Sequence, residues 1–165
     1  MASNCYRKST LTALNTTAQT FVTAGTILSP GGQLEKTGCS LTTSLQGIRI
    51  LSDGLYTASG AVAFTPSTAG VVVVALYKDG NLLPCSVRTM NVNNGVLYML
   101  DAIAPAFEGE ACRVIHPEIT VQISGVDGSV SRVCLNVTRL ARVVYEGSGG
   151  LFRVPSLLFL VLSID

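Results

Sequence analysis

From Gly54 to Gly80 the chain reads GLYTASGAVAFTPSTAGVVVVALYKDG, and most of these residues carry no polar side chain. A run this apolar has to be hidden, as an enzyme's core, as a membrane segment, or as sheet covered on both faces. Thr65, Pro66 and Lys78 interrupt it well short of the roughly 20 apolar residues with which a helix crosses a bilayer. Within it, Tyr56, Ala58, Gly60, Val62 and Phe64 recur with a period of two, and Thr57, Ser59, Ala61 and Ala63 fall between them. That spacing places the first set on one face of an extended strand, as a core face, and the second on the other. Val71 to Lys78 reads as a second strand, apolar on both faces. The outer face of a sandwich is normally wet, so this strand implies cover by another subunit, with Val73, Ala75 and Tyr77 in the contact and the last strand, Val133 to Leu140, expected in the same contact sheet.

The rest of the chain repeats strand and turn. In the first forty residues QTFVTAG and TILSPGG are short apolar beads between turn formers, suited to edge strands and loops. SLTTSLQGIRILSDGLY supplies two short extended pieces with Gly47 between them and Asp53-Gly54 as the following turn. Asp79-Gly80 is a favoured pair for a type I′ turn and predicts a hairpin between VVVVALY and LLPCSV, in which Pro84 belongs at an edge or a bulge. Asn93-Asn94-Gly95 predicts another hairpin, between Val87–Val92 and Val96–Ile103, with APAFEGEACRVIHPE a surface loop after it. Ile119, Val121 and Ile123 alternate with Thr120, Gln122 and Ser124; across GVDGS, Val133, Leu135 and Val137 alternate with Cys134, Asn136 and Thr138. About eight to ten short strands without an amphipathic helix define an all-β antiparallel sandwich, with a jelly roll the favoured form.

Composition narrows the function. The 165 residues suit one domain of ordinary size. Charged residues are 13%, and 11 Lys and Arg against 10 Asp and Glu leave a formal charge of +1, no field for gathering nucleic acid or anionic lipid. MASNCYRKSTLTALNTTAQT has no continuous apolar region after its basic residues, so neither a classical signal peptide nor a membrane span is expected. Cys5, Cys39, Cys85, Cys112 and Cys134 are odd in number and form no CxxC pair. Reduced, partly buried thiols are the plainest reading, with disulfides open if the protein ends up outside cells.

The segments NTTAQTFVTAGTILSPGGQLEKTGCSLT, IRILSDGLYTASGAVAF, STAGVVVVALYKDGNLLP and EITVQISGVDGSVSRVCLNVTRLARV, in that order, resemble the C1q/TNF-like jelly rolls of the bacterial and phage type, which include the heads of collagen-like surface and virion proteins. The resemblance covers about Asn15 to Val144. Gly54-Leu55-Tyr56 matches the family's Gly-x-Tyr strand start, and Leu76-Tyr77-Lys78-Asp79-Gly80 its Leu-Tyr-x-Asn-Gly hairpin, with Asp in place of Asn. It implies a ten-stranded jelly roll assembled as a homotrimer, one sheet of each protomer packed around the threefold axis. No Gly-X-Y repeat precedes the head. The division expected is a head domain with an N-terminal arm over 1–146 and a Gly-rich hinge with a hydrophobic docking tail over 147–165.

Candidate sites are few. Cys112, His116, Glu108, Glu110 and Glu118 carry metal-ligating groups, but no second tight ligand pair accompanies Cys112 and His116, and Pro117 stiffens the segment that would wrap the ion. A cysteine nucleophile at Cys85, Cys112 or Cys134 would have His116 alone for its base, and Ser9 and Ser59 lack a G-x-S-x-G setting. Neither catalytic nor metal nor cofactor-binding residues are therefore assigned, and no enzyme is expected. Arg139 and Arg142 could neutralise carboxylates at a subunit contact or solvate a strand end beside Arg132. The aromatics that could build a lectin-like site, Tyr56, Tyr77, Tyr98, Phe107 and Tyr145, do not cluster in sequence. The sequons at Asn15 and Asn136 are read as accidental.

These features point to a structural head or attachment module of a phage particle or bacterial surface assembly, contacting a glycan or protein receptor through loops. The alternative is an independent lectin-like ligand-binding domain. A virion or an extracellular surface is the expected location. The tail LFRVPSLLFLVLSI after Gly147-Ser148-Gly149-Gly150 suits a short helix or a strand; it is open to docking within the homotrimer, to anchoring the head on another structural protein, or to being an engineered addition.

Overall fold

The alternation over Tyr56–Phe64 is the centre of a 13-residue strand, and its predicted inner set is buried throughout. The computed structural model describes residues 8–109 and 116–141. In chain order the strands are β1 (Thr10–Asn15), β2 (Gln19–Phe21), β3 (Thr26–Leu28), β4 (Gly32–Thr37), β5 (Leu41–Thr43), β6 (Gly47–Ile50), β7 (Gly54–Pro66), β8 (Gly70–Lys78), β9 (Asn81–Leu82), β10 (Arg88–Val92), β11 (Tyr98–Glu108), β12 (Glu118–Ser124) and β13 (Gly128–Ala141). A first sheet runs β11-β7-β13-β1-β4, with β2 added to β13. A second runs β10-β8-β12-β6-β5, with β3 added to β12 and β9 to β8. Neighbours pair antiparallel. The fold is thus the all-β antiparallel jelly-roll sandwich expected. Five strands on each path make its frame, and three short strands take the count beyond the expected range.

The sheets close on one core. Leu11, Tyr56, Val62 and Leu135 of the first meet Ile48, Leu76, Val121 and Ile123 of the second, all fully buried. The ring of Phe64 takes Phe21 edge-on at 6.0 Å and stacks on Tyr98 at 5.9 Å, both within the range of favourable aromatic pairs. Gly60 faces the second sheet closely: a Cβ there would stand 3.1 Å from Leu76 Cδ2 and 3.3 Å from Val121 Cγ2.

Local turn chemistry is obeyed at Asp79-Gly80, whose φ values of 52° and 76° are the pair that a type I′ turn needs. Its second arm is shorter than expected, because Pro84 opens a 3-10 turn (Pro84–Ser86) after the two-residue β9 instead of lying in a strand. Ser86, buried in that turn, accepts the Leu76 amide at 2.8 Å and donates to the Leu83 carbonyl at 2.6 Å.

Three further expectations are corrected. Asn93–Gly95 is not a hairpin turn: β10 pairs with β8 and β11 with β7, so this connection crosses from the second sheet to the first. A turn signal fixes the bend, and the partner of each arm is decided by which sheet buries it. The stretch Ala104–Glu108 is strand, not loop, since Ala104, Ala106 and Glu108 are buried and Pro105 and Phe107 face out. Pro105 is tolerated because β11 lies at the sheet edge, where its missing N–H is not required by a second neighbour. Finally, β1 is an inner strand between β13 and β4 rather than an edge, with Leu11 and Ala13 fully buried.

Strand direction sorts the ends of the sandwich. Thr10 lies opposite Thr138, Ala141 opposite Leu55, and Glu108 opposite Gly54, so β1 enters and β13 and β11 leave at one end. At the opposite end lie the loops after Phe21, Pro66, Val92 and Ser124.

Candidate interaction surfaces

Two faces and one loop end remain once the core is closed. On the first sheet β11 turns Met99, Asp101, Ile103, Pro105 and Phe107 outward, and Met99, Ile103 and Phe107 are 57%, 53% and 45% exposed. Their cross-strand neighbours on β7 are Ala63, Ser59 and Leu55. The small Ala63 and Ser59 leave Met99 and Ile103 standing clear of the sheet, while Phe107 has Leu55 beside it. Beyond β7 the same face carries a polar ladder: Asn136 Nδ2 donates to Thr12 Oγ1 at 2.7 Å, the Thr138 hydroxyl donates to Asn136 Oδ1 at 3.2 Å, and the Thr10 and Thr138 hydroxyls meet. These groups satisfy one another, so the face can be covered without stranding them.

The outer face of the second sheet differs. Val71 is exposed, Val73 and Tyr77 are half-buried and Ala75 is buried. β8 and β13 belong to different sheets, which corrects the expectation that Val71–Tyr77 and the last strand share one subunit contact.

At the loop end Asp127 is the tie. Its Oδ1 accepts the Thr23 amide at 2.7 Å and the Thr23 hydroxyl at 2.8 Å, and its carbonyl accepts the Ser67 amide and hydroxyl, each at 2.9 Å. The Thr23 side chain, then its amide, hold the Asp127 carboxyl below the usual carboxylate range. The Gly95 amide reaches the Pro66 carbonyl at 2.9 Å, and Val22, Val96 and Leu97 are exposed around this linked set.

The candidate chemical residues do not converge. Cys112, Glu110, Arg142 and Tyr145 lie outside the described residues. His116 is half-buried with its Nδ1 buried and unpaired. Glu108 is buried and pairs with Lys78 at 2.7 Å. Glu118 bonds the Ser44 hydroxyl. Among the described residues no three His, Cys, Asp or Glu side chains are grouped to hold a metal. Cys85 is exposed in the 3-10 turn and Cys134 half-buried on β13, both as free thiols. Cys39 is disulfide-bonded, so the expectation of reduced thiols does not hold there. Arg132 is exposed, whereas Arg139 turns into its own protomer, donating from Nη1 to Ser40 Oγ at 3.2 Å and from Nη2 to the Asp53 carbonyl. Ser9 is buried beside that group, its hydroxyl oxygen accepting the Ser40 amide at 3.3 Å, and Ser59 lies on the outer face of β7.

The aromatics are dispersed too. Tyr56 is buried and donates to the Ser52 carbonyl at 2.6 Å; burial pushes its phenol up. Tyr98 packs on Phe64, Tyr77 faces out from the second sheet, and Phe107 from the first. Asn15 Nδ2 and Asn136 Nδ2 of the two sequons are both engaged within the fold. Sequence reasoning missed Met99 and Ile103; the period-two exposure along β11 was the available signal.

No protein-family model matches the sequence, and no curated protein does. Solved structures match in fold. A crystal structure of murine APRIL at pH 5.0 is 16% identical with a TM-score of 0.62, covering 81% of this chain and 100% of that one. Eiger TNF from S. frugiperda is 9% identical with a TM-score of 0.57, covering 86% and 99%. PRD1 vertex protein P5 is 13% identical with a TM-score of 0.50, covering 79% and 96%. The class is therefore a C1q/TNF-like jelly roll, a statement about fold.

Proposed function

We propose that this chain is a trimeric recognition module that binds a protein ligand through loops at the end away from its termini. The observation that carries the reading is the exposure of Met99, Ile103 and Phe107 on the outer face of β11, a mainly apolar row with Asp101 as its one charge. Half-exposed side chains of this size gain about 1 kcal/mol each on being covered, at about 25 cal/mol per Å². In a cyclic trimer the stripe of one protomer packs on the β7–β13–β1 face of the next, a heterologous contact that closes after three copies. The expected threefold axis thus runs beside the first sheet, not beside β8.

The linked loops around Thr23, Ser67, Gly95 and Asp127 then point away from the base, with Val22, Val96 and Leu97 as contact residues. A protein ligand is favoured over a glycan because the described aromatics that could stack on a sugar are buried or dispersed. An independent ligand-binding domain is the better supported setting, since the fold likeness is greater to murine APRIL and Eiger TNF than to the vertex protein. A fixed head on a phage particle or bacterial surface is the second reading, favoured by that vertex protein. Both place the chain outside a reducing cytosol, which the Cys39 disulfide supports.

Sedimentation equilibrium of the full chain tests assembly: a trimer is expected, and a monodisperse monomer would sink the reading. Binding to intact candidate host cells tests recognition. Leu97→Asp should reduce it at least tenfold with the trimer intact, and equal binding by the variant removes the loop end as the contact.

A further inference from the structure

The acids of β11 have opposite settings. Glu108 is buried and paired with Lys78 at 2.7 Å, whereas Asp101 faces out between Met99 and Ile103, exposed and with no ion pair among the described residues. The β7–β13–β1 face has the matching asymmetry. Its strands carry the cations Arg132 and Arg139; Arg139 turns inward to Ser40 and the Asp53 carbonyl, and Arg132 stands exposed on the outer face, likewise unpaired. Ser131 is the extra residue of a β-bulge there, its hydroxyl donating to the Ala63 carbonyl at 3.3 Å. With it Val130 and Val133 both reach the core while Arg132 is aimed out.

We propose that Asp101 of each protomer pairs with Arg132 of the next, so that one ion pair, repeated around the ring, sets the register of the assembly. The inference rests on the trimer reading and adds to it how one copy recognises another. A rotation shifts nothing along its own axis, and an axis running from the base to the loop end lies along the strands. β11 therefore meets residues of the next copy that stand at its own height. Asp101 shares a row with Ala61 of β7, Cys134 of β13 and Leu14 of β1, none of them a cation. Arg132 lies two residues along β13 from Cys134, about 7 Å, which an arginine side chain spans. A carboxylate covered without a partner would oppose the contact. The guanidinium fork removes that opposition, since it can take both carboxylate oxygens. A shift of the contact in either direction strands both charges, so the pair selects one register.

Sedimentation across a dilution series gives the concentration at which half of the full chain is trimeric. Asp101→Lys and Arg132→Glu should each raise it about tenfold or more by setting like charges against each other, and the two together should return it to within about threefold of the native value. Mixing the two single variants should recover part of the loss, because a ring of three that holds both kinds has one like-charged contact instead of three. Both positions are exposed in the protomer, so the far-ultraviolet circular dichroism of every variant should match that of the native chain. Asp101→Asn and Arg132→Gln run the same cycle without reversing a charge, and the double variant should then assemble no worse than either single one. Single reversals that assemble as the native chain does, or a double reversal no better than the weaker single one, overturn the proposal and leave the trimer reading in place. Recovery in the double reversal with none on mixing puts the pair within one protomer and also overturns it. A native chain that is monomeric throughout removes the trimer reading, and this inference with it.

Discussion

The outer faces of the two sheets are built from similar strands and end up differently covered. On β8 the outward Ala75 is only 3% exposed, with Gln122 of β12 directly across from it; Thr89 and Ser124 flank Val73 on its two sides. An inner strand has neighbours on both flanks, and here they set polar residues directly across from its apolar ones. On β11 the outward residues have a flank on one side alone, and that flank offers Ala63, Ser59 and Leu55. Exposure of an apolar residue in a sheet thus depends on what stands opposite it and on whether its strand is an edge, more than on the hydrophobicity of its own strand.

Mutations that exchange these environments give the largest effects. Ile103→Asp places a carboxylate in the proposed contact and should weaken assembly by about 3 kcal/mol or more, enough to dissociate the trimer at micromolar concentration. Val73→Asp, on the face already roofed by its neighbours, should leave the sedimentation profile unchanged. Dissociation by Val73→Asp and not by Ile103→Asp would assign the axis to the second sheet.

A smaller effect distinguishes stability of the protomer from that of the assembly. Ser86→Ala removes the acceptor of the buried Leu76 amide and should cost about 1–3 kcal/mol in denaturant unfolding. Asn136→Ala breaks the ladder on the opposite face, where Thr12 and Thr138 lose a partner. It should cost about 1 kcal/mol if that face is covered and less than about 0.5 kcal/mol if water can replace the lost bonds. Comparing the two losses across a dilution series separates them, since only the ladder's loss should depend on protein concentration.

Period-two patterning made β7, β12 and β13 legible because each buries one large apolar set against a smaller or more polar one. The Asp79-Gly80 turn was legible because its positive φ angles are a local demand met by few residue pairs. The Asn93–Gly95 crossover was not, since a turn says nothing about which sheet receives the next strand. Over its second half β11 inverts the usual signal: Ala102, Ala104 and Ala106 face in, and Ile103 and Phe107 face out, as Met99 and Asp101 do before them. Ala106 is small because Tyr56 stands opposite it, and Tyr98 and Phe64 fill the other end of the same pair of strands. Reading size as burial therefore missed the stripe and turned the second half of β11 into a loop. The preference for β8 came from the same source, because a single strand's apolarity does not contain its neighbours.

The smallest effect is confined to the loop end, where the two sheets are tied through Thr23, between β2 of the first and β3 of the second, and Asp127, between β12 and β13. Both Thr23 donors favour the ionised carboxylate, so the folded pKa of Asp127 lies below its unfolded value. The stabilisation is then fully present above the unfolded value of about 3.9 and is lost as pH falls through the lower folded value. Because the carboxyl is on the surface, the expected change is modest and screened by salt. Asp127→Asn should melt slightly lower than the native chain at pH 6, and the gap should close as pH falls below about 4, where the native carboxyl is protonated too. The Thr23 amide resonance, followed by NMR, should titrate over that same window in the native chain and stay flat in the variant. Since the tie joins both sheets alike and includes none of the exposed β11 side chains, the variant should sediment as the native chain does at pH 6. A change in assembly there would show that the loop end and the first-sheet face act together, and the separation between recognition and assembly would have to be abandoned.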